Sequence, residues 1–239
     1  MKISFLGTSD GYPEKDRYCS CTVVTVGGKH YVIDAGLALY SALMHNDMHP
    51  KDVAAVFITH MHGDHASGLP EFVDLMVWGG RDKLEPAIYM PTVQGKIGLL
   101  AFVESMDSGR EPEITVYREG HVFEDENVKV TAFRTAHTNA SFGFLFEAEG
   151  KKIYFSGDFA GDFHDLPDFL FSDYTDLVVC ESAHNVLYEH ADKLNNFRTD
   201  KIIINHIAIG HSKSDFDTCK PLIKDKEFVF SFDGMTTEI

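Results

Sequence analysis

Positive charge is scarce in this 239-residue chain: 21 lysines and arginines face 37 aspartates and glutamates, leaving a formal net charge of −16. Such an excess repels phosphate backbones at long range and argues against an extended nucleic-acid surface. Cysteine is scarce too. Cys19, Cys21, Cys180 and Cys219 are too few and too unevenly spaced for a disulfide framework, and Cys19-Ser20-Cys21 has no second cysteine pair with which to close a tetrahedral metal site. No run approaches eighteen apolar residues, and Met1 to Gly7 lacks the basic and sustained apolar regions of a secretory leader, so the expectation is a cytoplasmic chain with no membrane segment. Repeats, low-complexity tracts and Ser/Gly linkers are missing as well, which leaves one folded domain over 1–239 as the expectation.

What the chain does contain is a globular mixture, 44% apolar and 24% charged, arranged in short strand-like runs alternating with helical patterns. Strands are expected at Lys2–Leu6, Cys21–Val26, Tyr31–Ile33, Ala54–Ile58 and Ala87–Met90, with a turn at Asp34-Ala35-Gly36. Helical spacing covers Leu37–Met44 and Gly68–Trp78, and Thr92 is placed to cap a further helix running to about Ser105. Beyond an acidic connector over Asp107–Glu113, strands are expected at Ile114–Tyr117, Val128–Arg134, Phe142–Glu147, Lys152–Phe155, Leu177–Val179, Lys201–Ile204 and, as the last, Phe228–Phe232. A helix is expected between the strands at 177 and 201. The alternation suggests two packed sheets with helices on both outer faces.

Thirteen histidines are more informative than the overall charge, because several stand where strands end. Thr59-His60-Met61-His62-Gly63-Asp64-His65 follows the apolar run at 54–58 and crowds three imidazoles and a carboxylate into one turn. In an extended segment, residues two apart point the same way, so His60 and His62 can grip one cation. A turn at Gly63 then brings Asp64 and His65 toward a second position. Neutral imidazoles and carboxylates suit zinc, and also manganese or iron. Three later polar residues also sit just past apolar strands: His137, Asp158 and His206.

His60-x-His62-x-Asp64-His65, followed in order by His137, Asp158 and His206, resembles the signature of the metallo-β-lactamase-fold hydrolases. That resemblance implies an α/β (α+β) fold, a four-layer αββα sandwich. One metal would lie on His60, His62 and His137 and another on Asp64, His65 and His206, with Asp158 bridging. Within the superfamily, Phe5-Leu6-Gly7-Thr8 with Pro13 and Arg17, Asp34-x-Gly36, His65-x-x-Gly68-Leu69-Pro70, Phe142-Gly143-Phe144 and the closing Asp233-Gly234-Met235-Thr236 look like the ribonuclease Z branch and its small-phosphodiesterase relatives. The Gly- and Lys-rich arm with which that branch grips transfer RNA has no counterpart here, which points away from precursor transfer RNA. Relatives often dimerise, so the resemblance implies a homodimer.

The expectation is therefore a hydrolase with two divalent metal ions, most readily Zn with Mn or Fe as substitutes. It would use a hydroxide between the ions to cleave a small-molecule or RNA-end phosphodiester. Asp64 is the candidate to orient the water, and His184, oriented by Glu181, the candidate to protonate the leaving group. Asp34 is placed to hydrogen-bond a metal-held histidine. Gly7-Thr8-Ser9-Asp10 is expected near the site, and Phe72, Met76, Trp78 and Met90 either in the core or at a pocket rim. Two other readings compete: hydrolysis of lactones, thioesters or other carboxylic esters by the same metal pair, and a non-catalytic metal-binding sensor.

Overall fold

The structure is a computed structural model that describes residues 1–78, 84–106, 112–210 and 212–239. The first half of the chain builds strands β1 (Lys2–Gly7), β2 (Cys21–Val26), β3 (Lys29–Ile33), β4 (Val53–Phe57), β5 (Ala87–Met90) and β6 (Ile114–Val116). The second half builds β7 (Gly120–Glu124), β8 (Lys129–Thr135), β9 (Ser141–Ala148), β10 (Lys151–Phe155), β11 (Leu177–Glu181), β12 (Lys201–Asn205) and β13 (Glu227–Phe230), before β14 (Thr236–Glu238) returns to the first sheet. The sheets have seven strands each, in the orders β14-β1-β2-β3-β4-β5-β6 and β13-β12-β11-β10-β9-β8-β7. Each changes from antiparallel to parallel pairing part-way across, at β3 in one and β10 in the other.

Side chains that alternate along the strands sort into three apolar layers. In β4, Val56 points outward while Ala55 and Phe57 point between the sheets; in β12, Ile202 and Ile204 face out and Ile203 faces in. The layer between the sheets is aromatic. Phe57 stacks on Tyr89 at 5.1 Å between ring centroids and meets Phe146 edge-on at 5.6 Å. Helices α1 (Leu39–His45), α3 (Leu69–Trp78) and α4 (Val93–Ser105) cover the first sheet, and α5 (Phe169–Ser172), α6 (Ala191–Asn196) and α7 (Ser212–Cys219) pack against the second; α2 (Gly63–Ala66) is a single turn at the site. The result is the expected αββα sandwich. As anticipated, Thr92 Oγ1 caps α4, accepting from the Gly95 amide at 2.9 Å.

Several elements escaped the sequence pattern. The strand expected to be last is not: β14 follows it, a three-residue Thr-Thr-Glu segment with no apolar alternation, which joins β1 through backbone pairing. β7 was unexpected because both its faces are partly exposed, and α7 because its sequence is largely polar. The helix between β11 and β12 is short, six residues. Of the connector at 107–113 and the loop at 79–85, residues 107–111 and 79–83 lie outside the described residues. Phe72, Met76 and Met90 are buried in the outer core of the first sheet, whereas Trp78 is exposed. None of the described helices is long and apolar enough to cross a membrane.

Because Phe57 fills the centre of the inter-sheet layer with 0% exposure, Phe57→Ala should cost about 3–5 kcal/mol of stability in urea denaturation. A loss below about 1 kcal/mol would mean that the sheets can close over the vacancy.

Candidate metal centre

Both sheets deliver polar side chains to one edge of the sandwich. β4 runs out into His60, α2 carries Asp64 and His65, β8 leads to His137, β10 to Asp158, β11 to Glu181 and His184, and β12 to His206. The segment before α2 is extended rather than helical, with His62 at φ −65° and ψ 153°, and Gly63 opens the turn of α2. Asp64 can approach because residue 36 has no side chain: a Cβ there would stand 1.7 Å from the Asp64 carbonyl oxygen. Two non-glycine residues at this edge hold the left-handed backbone conformation, Asp34 at φ 63° and His206 at φ 49°. Local strain of this kind collects at functional sites and persists only where the surroundings enforce it.

Asp158 lies at the centre, 1% exposed. Its Oδ2 is 3.3 Å from His206 Nε2, 3.5 Å from His137 Nε2 and 3.6 Å from His60 Nε2, and its Oδ1 is 3.4 Å from His65 Nε2. Asp64 Oδ2 stands 3.5 Å from His65 Nε2 and 3.8 Å from His206 Nε2. His62 Nδ1 faces His137 Nε2 at 3.1 Å. Two groups of donor atoms result, one of His60, His62, His137 and Asp158, the other of Asp64, His65 and His206, each with its atoms within 4.8 Å of one another. These are the groupings implied by the sequence resemblance, with Asp158 between them. His184 also comes within that range of Asp158 and His206.

Burial and charge shift several of these groups in a definite direction. Burial drives His60 down to about 2, reinforced by the neighbouring His65, so its ring is neutral with a lone pair to offer. Burial pushes Asp64 upward, but His65 and His206 outweigh it and hold the carboxyl at about 2. Asp158 is likewise pushed up by burial and pulled well below the usual carboxylate range by His206 and His65. The hydrogen bond with Glu181 raises His184 to about 9.

Behind the donors, hydrogen bonds fix the rings. The Asp34 carboxylate takes the Thr59 amide at 2.8 Å, the Thr59 hydroxyl at 2.9 Å and His65 Nδ1 at 2.7 Å. Thr59 has a single hydroxyl hydrogen, and an ionised carboxylate can only accept, so that hydrogen is committed to Asp34. His60 Nδ1, 3.1 Å from the same oxygen, must then donate to it, leaving His60 Nε2 unprotonated and aimed inward. Ser20 Oγ lies 2.8 Å from His206 Nδ1. Asp34 was legible in the sequence as a partner for a metal-held histidine; Thr59 and Ser20 were not, because an isolated hydroxyl residue has no pattern. Glu181, 1% exposed, accepts from the His184 amide at 3.0 Å and the Asn185 amide side chain at 2.8 Å. The 7–10 turn lies beside the site, with Asp10 N bonded to the Ile207 carbonyl at 3.1 Å and residue 11 next to the Asp64 carboxylate. All four cysteines are free buried thiols.

A divalent cation fits this donor set. His60 Nε2, His65 Nε2 and Asp158 Oδ1 are buried without a hydrogen-bond partner, although each orphaned polar atom costs roughly 1–3 kcal/mol. His60 Nε2 belongs to one donor group and His65 Nε2 to the other, with the Asp158 carboxylate 3.6 Å from the first and 3.4 Å from the second, so cations in the two groups would satisfy all three atoms.

Comparison with known proteins places the chain. A family described as "Anti-Pycsar protein Apyc1" matches residues 1–199, well over half of the sequence. The chain belongs to that family. This Apyc1-family chain is also 34% identical over 157 residues to ribonuclease Z of Limosilactobacillus fermentum, a match that covers 62% of this chain and 49% of the relative. It therefore spans about half the length of the curated relatives it matches. The metallo-β-lactamase fold protein YhfI of Bacillus subtilis superposes over 99% of both chains with a TM-score of 0.80 at 15% identity. The short form of human tRNase Z does so over 100% of this chain and 99% of its own, with a TM-score of 0.75 at 22% identity. The fold and the likeness to ribonuclease Z read from the motifs are thus borne out.

Adding zinc or manganese to chelator-treated protein should raise its thermal midpoint, by an amount equivalent to about 4 kcal/mol when free metal exceeds the dissociation constant a thousandfold. Asp158→Asn should lose most of that rise. An unchanged midpoint in the native sequence would show that no cation is bound.

Proposed function

We propose that the protein is a metal-dependent phosphodiesterase that cleaves a small phosphodiester, cyclic or linear, or an RNA end. The observation that carries this reading is the convergence of three orphaned buried atoms, on His60, His65 and Asp158, with His62, Asp64, His137 and His206 around them. His60, His62 and His137 would hold one divalent ion, Asp64, His65 and His206 a second, and Asp158 both. Zinc suits these ligands best, and manganese or iron can replace it. Ions bound there supply an ionised water as nucleophile and neutralise charge that develops on the phosphoryl oxygens.

The chain's own residues do the rest. Asp64, ionised at neutral pH, accepts a hydrogen bond from the attacking water and orients it. His184, carrying a proton at neutral pH and backed by Glu181 at 3.5 Å, donates to the departing oxygen. Its ring is half-exposed at the rim, within reach of a leaving group that arrives from solvent. The donor groups themselves consist of imidazoles and carboxylates. With a net charge of −16 around them, that favours a substrate of low charge over a long polyanion. The likeness to ribonuclease Z supports phosphodiester chemistry over carboxylic-ester chemistry.

Metal-replete protein should hydrolyse bis-p-nitrophenyl phosphate, and Asp64→Ala should lower kcat by about 100-fold or more. Turnover of lactones or thioesters by protein inert toward every phosphodiester would replace this reading with the ester hydrolase; a fully loaded protein inert toward both classes would point to a sensor. His184→Ala should lower kcat by roughly 10²- to 10⁴-fold with metal content unchanged. If metal content falls instead, His184 is a ligand and not the acid.

A further inference from the structure

His65 and His206 stand side by side, with ring centroids 4.8 Å apart, yet they are held from behind by different chemistry. His65 leans on a carboxylate, Asp34, within its own sheet. His206 follows a strand of the second sheet, but its Nδ1 meets a hydroxyl from the first, Ser20 Oγ, at 2.8 Å. Both partners are buried, Ser20 at 5% and His206 at 4% exposure.

Backbone pairing explains how Ser20 reaches across. Ser9 bridges to Cys19 on one side and to Ile207 on the other. The Ser9 amide donates to the Tyr18 carbonyl at 2.8 Å, and the Ile207 amide to the Thr8 carbonyl at 2.8 Å. The base of this loop is clamped by Asp233, which accepts from the Thr8 hydroxyl and the Tyr18 amide, each at 2.6 Å. Ser20, next to Cys19, is thereby set beside His206, next to Ile207, and the Ser20 carbonyl accepts the Gly36 amide at 2.9 Å.

We propose that Ser20 is the positioning residue for His206: its hydroxyl accepts the Nδ1 hydrogen, fixes the tautomer that leaves Nε2 free, and so completes the metal position shared by Asp64, His65 and His206. A neutral hydroxyl orients a ring without the charge that a carboxylate partner lends it. The Asp64–His65–His206 position therefore depends on Ser20 for geometry, whereas the His60–His62–His137 position does not involve it. The inference rests on the two-ion reading above.

The experiment is a titration of chelator-treated protein with Co(II), followed by its visible absorption and by elemental analysis. Native protein should take up two equivalents. Ser20→Ala should bind the first equivalent unchanged and the second roughly 10- to 100-fold more weakly, with an altered spectrum for that ion. Ser20→Thr, which keeps the hydroxyl, should restore the second equivalent; this conservative variant, with the retained first equivalent, separates lost positioning from lost folding. Two equivalents bound by Ser20→Ala with native affinity and spectrum would overturn the proposal. Native protein that binds fewer than two would overturn the two-ion reading itself.

Discussion

A carboxylate buried at 1% exposure among imidazoles from both sheets is the constraint on which the rest of the arrangement depends. Removing Asp158 from water without partners would be prohibitive, and the nearby rings hold it ionised only if they carry positive charge or surround a cation. His60 cannot supply the charge, since burial keeps it neutral at about 2. The charge that holds Asp158 ionised comes instead from His206 and His65, and His65, although burial lowers it, is raised well above the usual imidazole range by Asp158 and Asp34, so a cation at this edge would take the place of a proton held there. A cation bound there would for that reason be as much a structural element of this edge as a catalytic one.

Meeting that constraint determines how the two sheets join. Each contributes strands whose ends open at the same edge, so neither half alone assembles either donor group in full. His60, His62, Asp64 and His65 come from the first half of the chain; His137, Asp158 and His206 come from the second. The aromatic layer around Phe57 and Phe146 brings the halves to the right distance, and the short pairings of Ser9 with Cys19 and Ile207 fix them at the site itself. Left-handed backbone at Asp34 and His206 is tolerated because hydrogen bonds on both sides hold each residue in place.

Much of this was legible in the sequence because the underlying physics is local. Continuous apolar runs in β4 and β12 mark strands buried on both faces, and histidines just past such strands mark the edge where parallel sheets open. Gly63 and Thr92 signal a turn and a cap by their own chemistry. β14 and β7 were illegible for the converse reason: one is three polar residues held by backbone bonds to β1, the other is half-exposed on both faces, so neither carries a burial pattern. Thr59 and Ser20 act through contacts made only once distant segments meet. Asp34 escaped that fate because Asp-x-Gly after a strand is itself a motif.

The same locality accounts for what the surface contributes. A charge of −16 spread over the whole chain is screened within about 8 Å at physiological salt, so exposed charges farther than that from the clustered donors act on them only weakly. Among the clustered donors, short-range hydrogen bonds decide which nitrogen carries a hydrogen, and the partner group, an Asp34 carboxylate against a Ser20 hydroxyl, separates two otherwise similar histidines. Overall acidity thus belongs to the surface, while a few buried oxygens govern how the donor nitrogens are presented.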